Sequence, residues 1–266
     1  MELGLKGKTA LITGGSRGIG YAVARQFGLE GVEVAIVARG KQLLEDAENR
    51  LISETGGRVI SVVADTGRDT EVNAMVSKVV KEFGGIDILV NCAAKPLGQG
   101  SVPTLSEITD DHFWEDMNVK VMGYLRCARG VAPHMKTRGW GRIINVSGLA
   151  ARNAVSTIGS MRNVAVVAMT KNLAEELGSC GINVTAVHPG RTWTEATPKV
   201  VAARARGQGI SEKEVLQNMA KDNPLNRIIN ADEIAYVVTF LASPKSVAIN
   251  GDVISAGGGA GKSIHY

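Results

Sequence analysis

A doubly wound α/β fold, one parallel sheet covered by helices on both faces, is what two features of this sequence predict. Short runs that are apolar throughout alternate with helix-length amphipathic segments, and a glycine-rich loop joins the first run to the first helix. The first strand falls at 9–12, followed by strands at 33–38, 59–64, 86–91, 142–147, 183–188 and 252–255. Val34-Ala35-Ile36-Val37 and Ile88-Leu89-Val90 show no polar alternation, as a strand buried on both faces requires. Helices are expected between them at 18–30, 41–55, 69–83, 111–137, 157–179 and 231–242. The stretch 191–227 breaks the rhythm, being long, polar and interrupted by Pro198, Gly207, Gly209 and Pro224. In a sheet of this kind it caps the carboxyl edge, where ligands bind, and is the expected substrate lid.

Residues 1–266, with 44% apolar and 4% aromatic content, suffice for a single domain with a large aliphatic core. No apolar run reaches bilayer-spanning length and the N-terminal residues carry no signal-type core, so a cytoplasmic protein is expected. Cys92, Cys127 and Cys180 are odd in number and lack metal-ligand spacing, reading as reduced thiols with no metal. The net charge of +4 is spread among acids without a basic run or aromatic platform, which argues against nucleic acid. It suits an anionic small molecule, or a surface charge of no functional meaning.

The loop Thr13-Gly14-Gly15-Ser16-Arg17-Gly18-Ile19-Gly20 carries the clearest chemistry. Glycines at 14, 18 and 20 let the backbone turn tightly and approach a pyrophosphate, which the free N–H groups of a helix N-terminus would hold. At the end of the second strand, where an acid would grip a ribose diol, stands Val37-Ala38-Arg39. Arg39 and Arg17 together, with no acid, favour a 2′-phosphate and hence NADP(H) in a Rossmann-type site.

Over nearly its whole length the sequence resembles the short-chain dehydrogenase/reductase family. The resemblance is carried by 13–20, Asp65, Asn91-Cys92-Ala93-Ala94, Asn118, Asn145-Val146-Ser147, Pro189-Gly190, Thr194, Pro224-Leu225-Asn226-Arg227, Phe240-Leu241-Ala242-Ser243 and Asn250-Gly251. It implies that Asp65 with Thr66 lies near the adenine and Asn91 with Ala93 beside the cofactor ribose. It also implies that Pro189, Gly190, Thr192 and Thr194 lie against the nicotinamide, and that the long helices 111–137 and 157–179 and the C-terminal strand assemble a homotetramer. Val164-Ala165-Val166-Val167-Ala168, apolar nearly all round, suits either that interface or an intrachain core.

The family's usual reaction passes hydride between nicotinamide and a carbonyl carbon, with a Tyr, a Lys four residues later, a Ser and an Asn completing the site. Counting back from Met169-Thr170-Lys171-Asn172-Leu173-Ala174 puts the Tyr position at Gly159 and the Lys position at Asn163. The Ser position falls on Gly148, leaving Asn118 of the four. Shifting the register by one gives Ile158 and Arg162, similar to the Tyr-x-x-x-Arg pattern of halohydrin dehalogenases but again without a phenol. A matched general acid contributes about 10²–10⁴-fold in rate, so ordinary ketone reduction would suffer while dinucleotide binding would not.

Candidate substitutes are Asn118, Ser147, Arg162 as an oxyanion or carboxylate partner, and His188 beside Pro189-Gly190. Tyr21, Tyr124 and Tyr236 lie in other segments, Tyr266 and His265 in the tail, and Ser160 has no evident base. Three functions stand open. The leading one is an NADP(H)-dependent oxidoreductase with an atypical site acting on a small organic molecule; reduction of an activated C=C bond would relax the need for the phenol. The others are non-redox chemistry on the same scaffold, and a catalytically silent NADP(H)-binding subunit. Arg191, Lys199, Arg204, Arg206, Lys213 and Lys221 of the lid fit an anionic substrate as well as solvated charge.

Overall fold

The computed structural model describes residues 2–94, 102–261 and 264, so Tyr266 and His265 lie outside the described residues. Nine strands and nine α-helices alternate: β1 Thr9–Thr13, α1 Gly18–Leu29, β2 Glu33–Ala38, α2 Lys41–Thr55, β3 Val59–Val63, α3 Asp69–Phe83 and β4 Ile88–Asn91 form the first half among the described residues. The second half is α4 Asp110–Met117, α5 Gly123–Arg138, β5 Gly141–Val146, α6 Thr157–Leu177, β6 Ile182–Pro189, β7 Thr192–Trp193, α7 Thr197–Gln208, α8 Glu212–Ala220, β8 Ile229–Asn230, α9 Ala231–Ala242 and β9 Val253–Ala256.

Seven strands make one parallel sheet in the order β3-β2-β1-β4-β5-β6-β9. Successive residues of each strand feed opposite cores. Ile12, Val34 and Ile36 pack with Val23 and Phe27 of α1, Leu44 of α2 and Ile234 and Val238 of α9. Leu11, Ala35 and Val37 pack on the other face with Val72 and Met75 of α3, Val131 and Met135 of α5, and Leu177 of α6. Both faces are therefore apolar, which is why the strand sequences show continuous hydrophobicity in place of alternation. The strand order reverses at β1, whose neighbours are β2 and β4, and this switch point opens a crevice at the carboxyl edge of the sheet.

Two segments differ from the sequence expectation. The helix expected at 111–137 is broken by a π-helical turn, Asn118–Met122, between α4 and α5. The polar stretch 191–227 contains two helices, α7 and α8, that share a small core of Val201, Ala205, Val215 and Met219. Pro198 sits in the first turn of α7, where it costs no hydrogen bond, and Gly209 ends that helix at φ +66°. Both residues punctuate helices here, so they mark boundaries within a folded segment.

Candidate functional site

A cavity of about 1030 Å³ fills the crevice. Its roof is the glycine loop. Gly14 is at φ +71°, and a Cβ on Gly20 would fall 2.3 Å from the Gly14 carbonyl oxygen, so α1 meets the loop closely only without side chains there. The Thr13 hydroxyl accepts the N–H groups of Cys92 and Ala93 at 3.1 and 3.2 Å, tying the ends of β1 and β4 together.

The first turn of α1 has neither a side-chain cap nor an acid, leaving its N–H groups to the cavity. One of them is already taken: Gly18 N–H donates to the Glu195 carboxylate, 3.1 Å away, from the turn between β7 and α7. This stand-in anion is what an uncapped helix N-terminus accepts, as it would a phosphate. Ser16, Arg17, Gly18 and Ile19 line the same wall, with Val37, Ala38 and Arg39 at the end of β2 and Asp65 and Thr66 beyond β3. Ala93, Pro189, Gly190, Thr192 and Thr194 line the cavity too, Ala93 close to Gly14 and Thr194 close to Gly18.

The floor is built at the end of β5. Ser147 hydroxyl donates to the main-chain oxygen of Asn163 at 3.1 Å, and the Ser147 carbonyl accepts from Lys120 Nζ at 2.8 Å. Lys120 is 4% exposed and comes from the π-helical turn, whose wider winding carries it to the cavity. Burial, with the Arg162 charge adding to it, brings its pKa down from 10.5 to about 7. Arg162 is 2% exposed and its guanidinium donates to Asp116 at 2.5 Å, while its Nε has no hydrogen-bond partner. The Asn163 side-chain amide, also buried and facing the cavity, leaves both its oxygen and its nitrogen unpartnered. Burial pushes the Cys92 thiol beside them up to about 11, so it stays neutral.

Among the expected catalytic residues, Ser147 and Arg162 therefore face the cavity and Asn118 and His188 do not. Asn118 is turned back, its amide donating to Gly67 and accepting from Arg126, which pins the π-helical turn. His188 is buried behind the wall, its Nδ1 accepting the Gly148 N–H at 3.1 Å. Asn91, expected beside the cofactor, also lies behind the wall, donating to the Asn145 side chain at 2.9 Å. Arg162 differs from the surface ion pair that its place in a helix would allow; it is buried and paired across to α4.

No tyrosine lines the cavity among the described residues. Tyr124, one helical turn beyond Lys120, is buried with its hydroxyl on the Val146 carbonyl at 3.0 Å, and burial holds its pKa well above 10. Lys120 is the functional candidate that sequence reasoning missed. Its signal was a lysine flanked by Val119, Val121 and Met122, a charge set among apolar residues two positions after Asn118. No group of His, Cys, Asp and Glu able to hold a metal, and no helix long and apolar enough to cross a membrane, occurs among the described residues.

The family model described as Enoyl-(Acyl carrier protein) reductase matches residues 14–261. The short-chain reductase protein NovJ of Streptomyces niveus is 37% identical over 94% of this chain and 92% of its own length. L-Sorbose reductase from Gluconobacter frateurii, solved with NADPH and L-sorbose, superposes with a TM-score of 0.92 at 33% identity, covering 99% of this chain and all of that one. NAD+-bound xylitol dehydrogenase superposes at 0.87 with 27% identity, covering 96% and 99% of the two chains.

Proposed function

Because the chain belongs to the short-chain dehydrogenase/reductase family, we propose that it is an NADP(H)-dependent oxidoreductase of a small organic molecule, working without the family's tyrosine and lysine. Solved relatives include both an NADPH and an NAD+ complex, so the family alone leaves the choice open. The observation that carries NADP(H) is the pair Arg17 and Arg39 on one cavity wall, with no acid at the end of β2. Two guanidinium groups there suit a phosphate on the adenosine ribose, which a carboxylate would repel.

In this reading the backbone N–H groups at the start of α1 hold the pyrophosphate, displacing Glu195, and Asp65 and Thr66 flank the adenine. When bound, the nicotinamide supplies or accepts the hydride. Gly159, Asn163 and Gly148 occupy the positions read as those of the family's Tyr, Lys and Ser, which places the proton chemistry on other groups. Lys120 and Arg162 bring positive charge to the cavity floor, where it holds and orients an anionic end of the substrate. The lid helices α7 and α8 close the water side, with Val200, Arg204 and Met219 facing inward.

Assembly through α4 and α6 is part of the proposal, supported by exposed Trp114, Met161 and Val164. Light scattering should then give a homotetramer, and a monomer would contradict it. The test of function is consumption of NADPH over NADH with a panel of ketones, oxo acids and enones. Tight NADPH binding with no oxidation by any member would overturn the oxidoreductase reading.

A further inference from the structure

We propose that the cavity floor is a carboxylate-binding subsite built from Lys120, Arg162 and Asn163, and that the substrate is a small organic acid seated there by its carboxylate. This deepens the oxidoreductase reading and names its substrate class. Three observations carry it. Two basic side chains, each at least nine-tenths buried, face one cavity, and Asp116 is the carboxylate that pairs with Arg162 and acts on Lys120. That carboxylate is already engaged by one arm of Arg162, whose Nε is left without a partner. Asn163 adds an amide whose donor and acceptor are both unused and buried at the same wall.

Buried polar atoms are ordinarily satisfied, and buried cations ordinarily paired. Here the missing partner is an acceptor carrying negative charge. A carboxylate offers two oxygens with lone pairs for Arg162 Nε–H, Lys120 Nζ and the Asn163 amide nitrogen together. A side chain at 148 would obstruct it, since a Cβ on Gly148 would lie 3.1 Å from Asn163 Nδ2.

The groups facing Lys120 decide how it responds. Arg162 from α6 opposes its charge and Asp116 from α4 favours it. Cys92 after β4 is neutral, Tyr124 on the following turn is held as the phenol, and the Ser147 carbonyl from β5 accepts a hydrogen bond. On β6, His188 uses Nδ1 on the Gly148 N–H. Without an anion the floor settles its charge by releasing the Lys120 proton near neutral pH. An arriving carboxylate restores that proton, so binding and proton uptake are linked.

Calorimetric titration of the full chain with propionate and benzoate, and with propionamide and benzamide, tests this in two buffers of different ionisation enthalpy. Above the Lys120 titration the acids should bind with uptake approaching one proton each, their affinity falling about tenfold per pH unit, while the amides bind far more weakly. Lys120→Met should abolish the uptake, and Lys120→Arg should keep acid binding while removing its pH dependence. Arg162→Gln serves as a third arm where thermal melting shows it folded. Equal binding of acids and amides, no acid binding to the wild type, or uptake persisting in Lys120→Met would overturn the subsite. Turnover is read separately: acid binding without NADPH oxidation by any oxo acid would sink the oxidoreductase reading and leave the subsite standing.

Discussion

Lys120 Nζ donates to the main-chain carbonyl of Ser147 across 2.8 Å, joining the π-helical turn after α4 to the last residues of β5 at the base of the cavity. The bond holds a buried amine, its pKa brought down to about 7, at the cavity floor. Stability, binding and chemistry all respond to that single placement.

The Lys120 pKa is lowered from 10.5 to about 7 by burial and by Arg162. Between those values the unfolded chain carries the proton and the folded chain does not, so stability rises with pH across the window and the whole penalty applies below 7. Lys120→Met should therefore stabilise the protein, by at most about 5 kcal/mol less about 1 kcal/mol for the lost hydrogen bond. Urea denaturation should show the gain largest below pH 7 and vanishing above about 10.5.

Arg162 and Asp116 are a largely buried pair. Removing one partner strands the other, so Asp116→Asn should cost about 3–5 kcal/mol. The double variant Asp116→Asn with Arg162→Met should lose less than Asp116→Asn alone. Denaturant midpoints of the three variants check this.

In the NADP(H) reading, Arg39 carries the cofactor preference. Arg39→Ala should weaken NADPH binding about 10–100-fold, the worth of one or two hydrogen bonds to a charged group, and leave NADH binding nearly unchanged. Quenching of intrinsic fluorescence by each dinucleotide measures both. Equal losses for the two would remove the argument for a 2′-phosphate contact.

Glu195 competes for the same N–H group that a pyrophosphate would take. Glu195→Gln should tighten dinucleotide binding several-fold, since an anion at an exposed helix N-terminus is worth about 0.3–1 kcal/mol. Weaker binding would show that Glu195 helps the ligand instead of standing in for it.

Sheet, helices and the glycine turn after β1 were legible because their causes are local. Continuous apolar runs such as 34–37 announce strands covered on both faces, and Gly14, Gly18 and Gly20 report backbone geometry that other residues resist. The floor was not legible, because its residues meet only through the topology: Lys120, Ser147 and Arg162 come from three elements. Nothing local shows that Asn118 turns toward Gly67 and Arg126, that His188 is spent on Gly148, or that Lys120 lies inside. Helices α7 and α8 were hidden by Pro198 and Gly209, which punctuate helices as readily as loops.

The pH–rate profile of NADPH oxidation with a series of 2- and 3-oxo acids and their methyl esters tests the central claim most directly. Oxidation by the acids, favoured over the esters, with kcat/KM declining as pH rises through about 7 as Lys120 of the free enzyme loses its proton, is the expected result. NADPH that binds tightly and is oxidised by neither acid nor ester at any pH would contradict it.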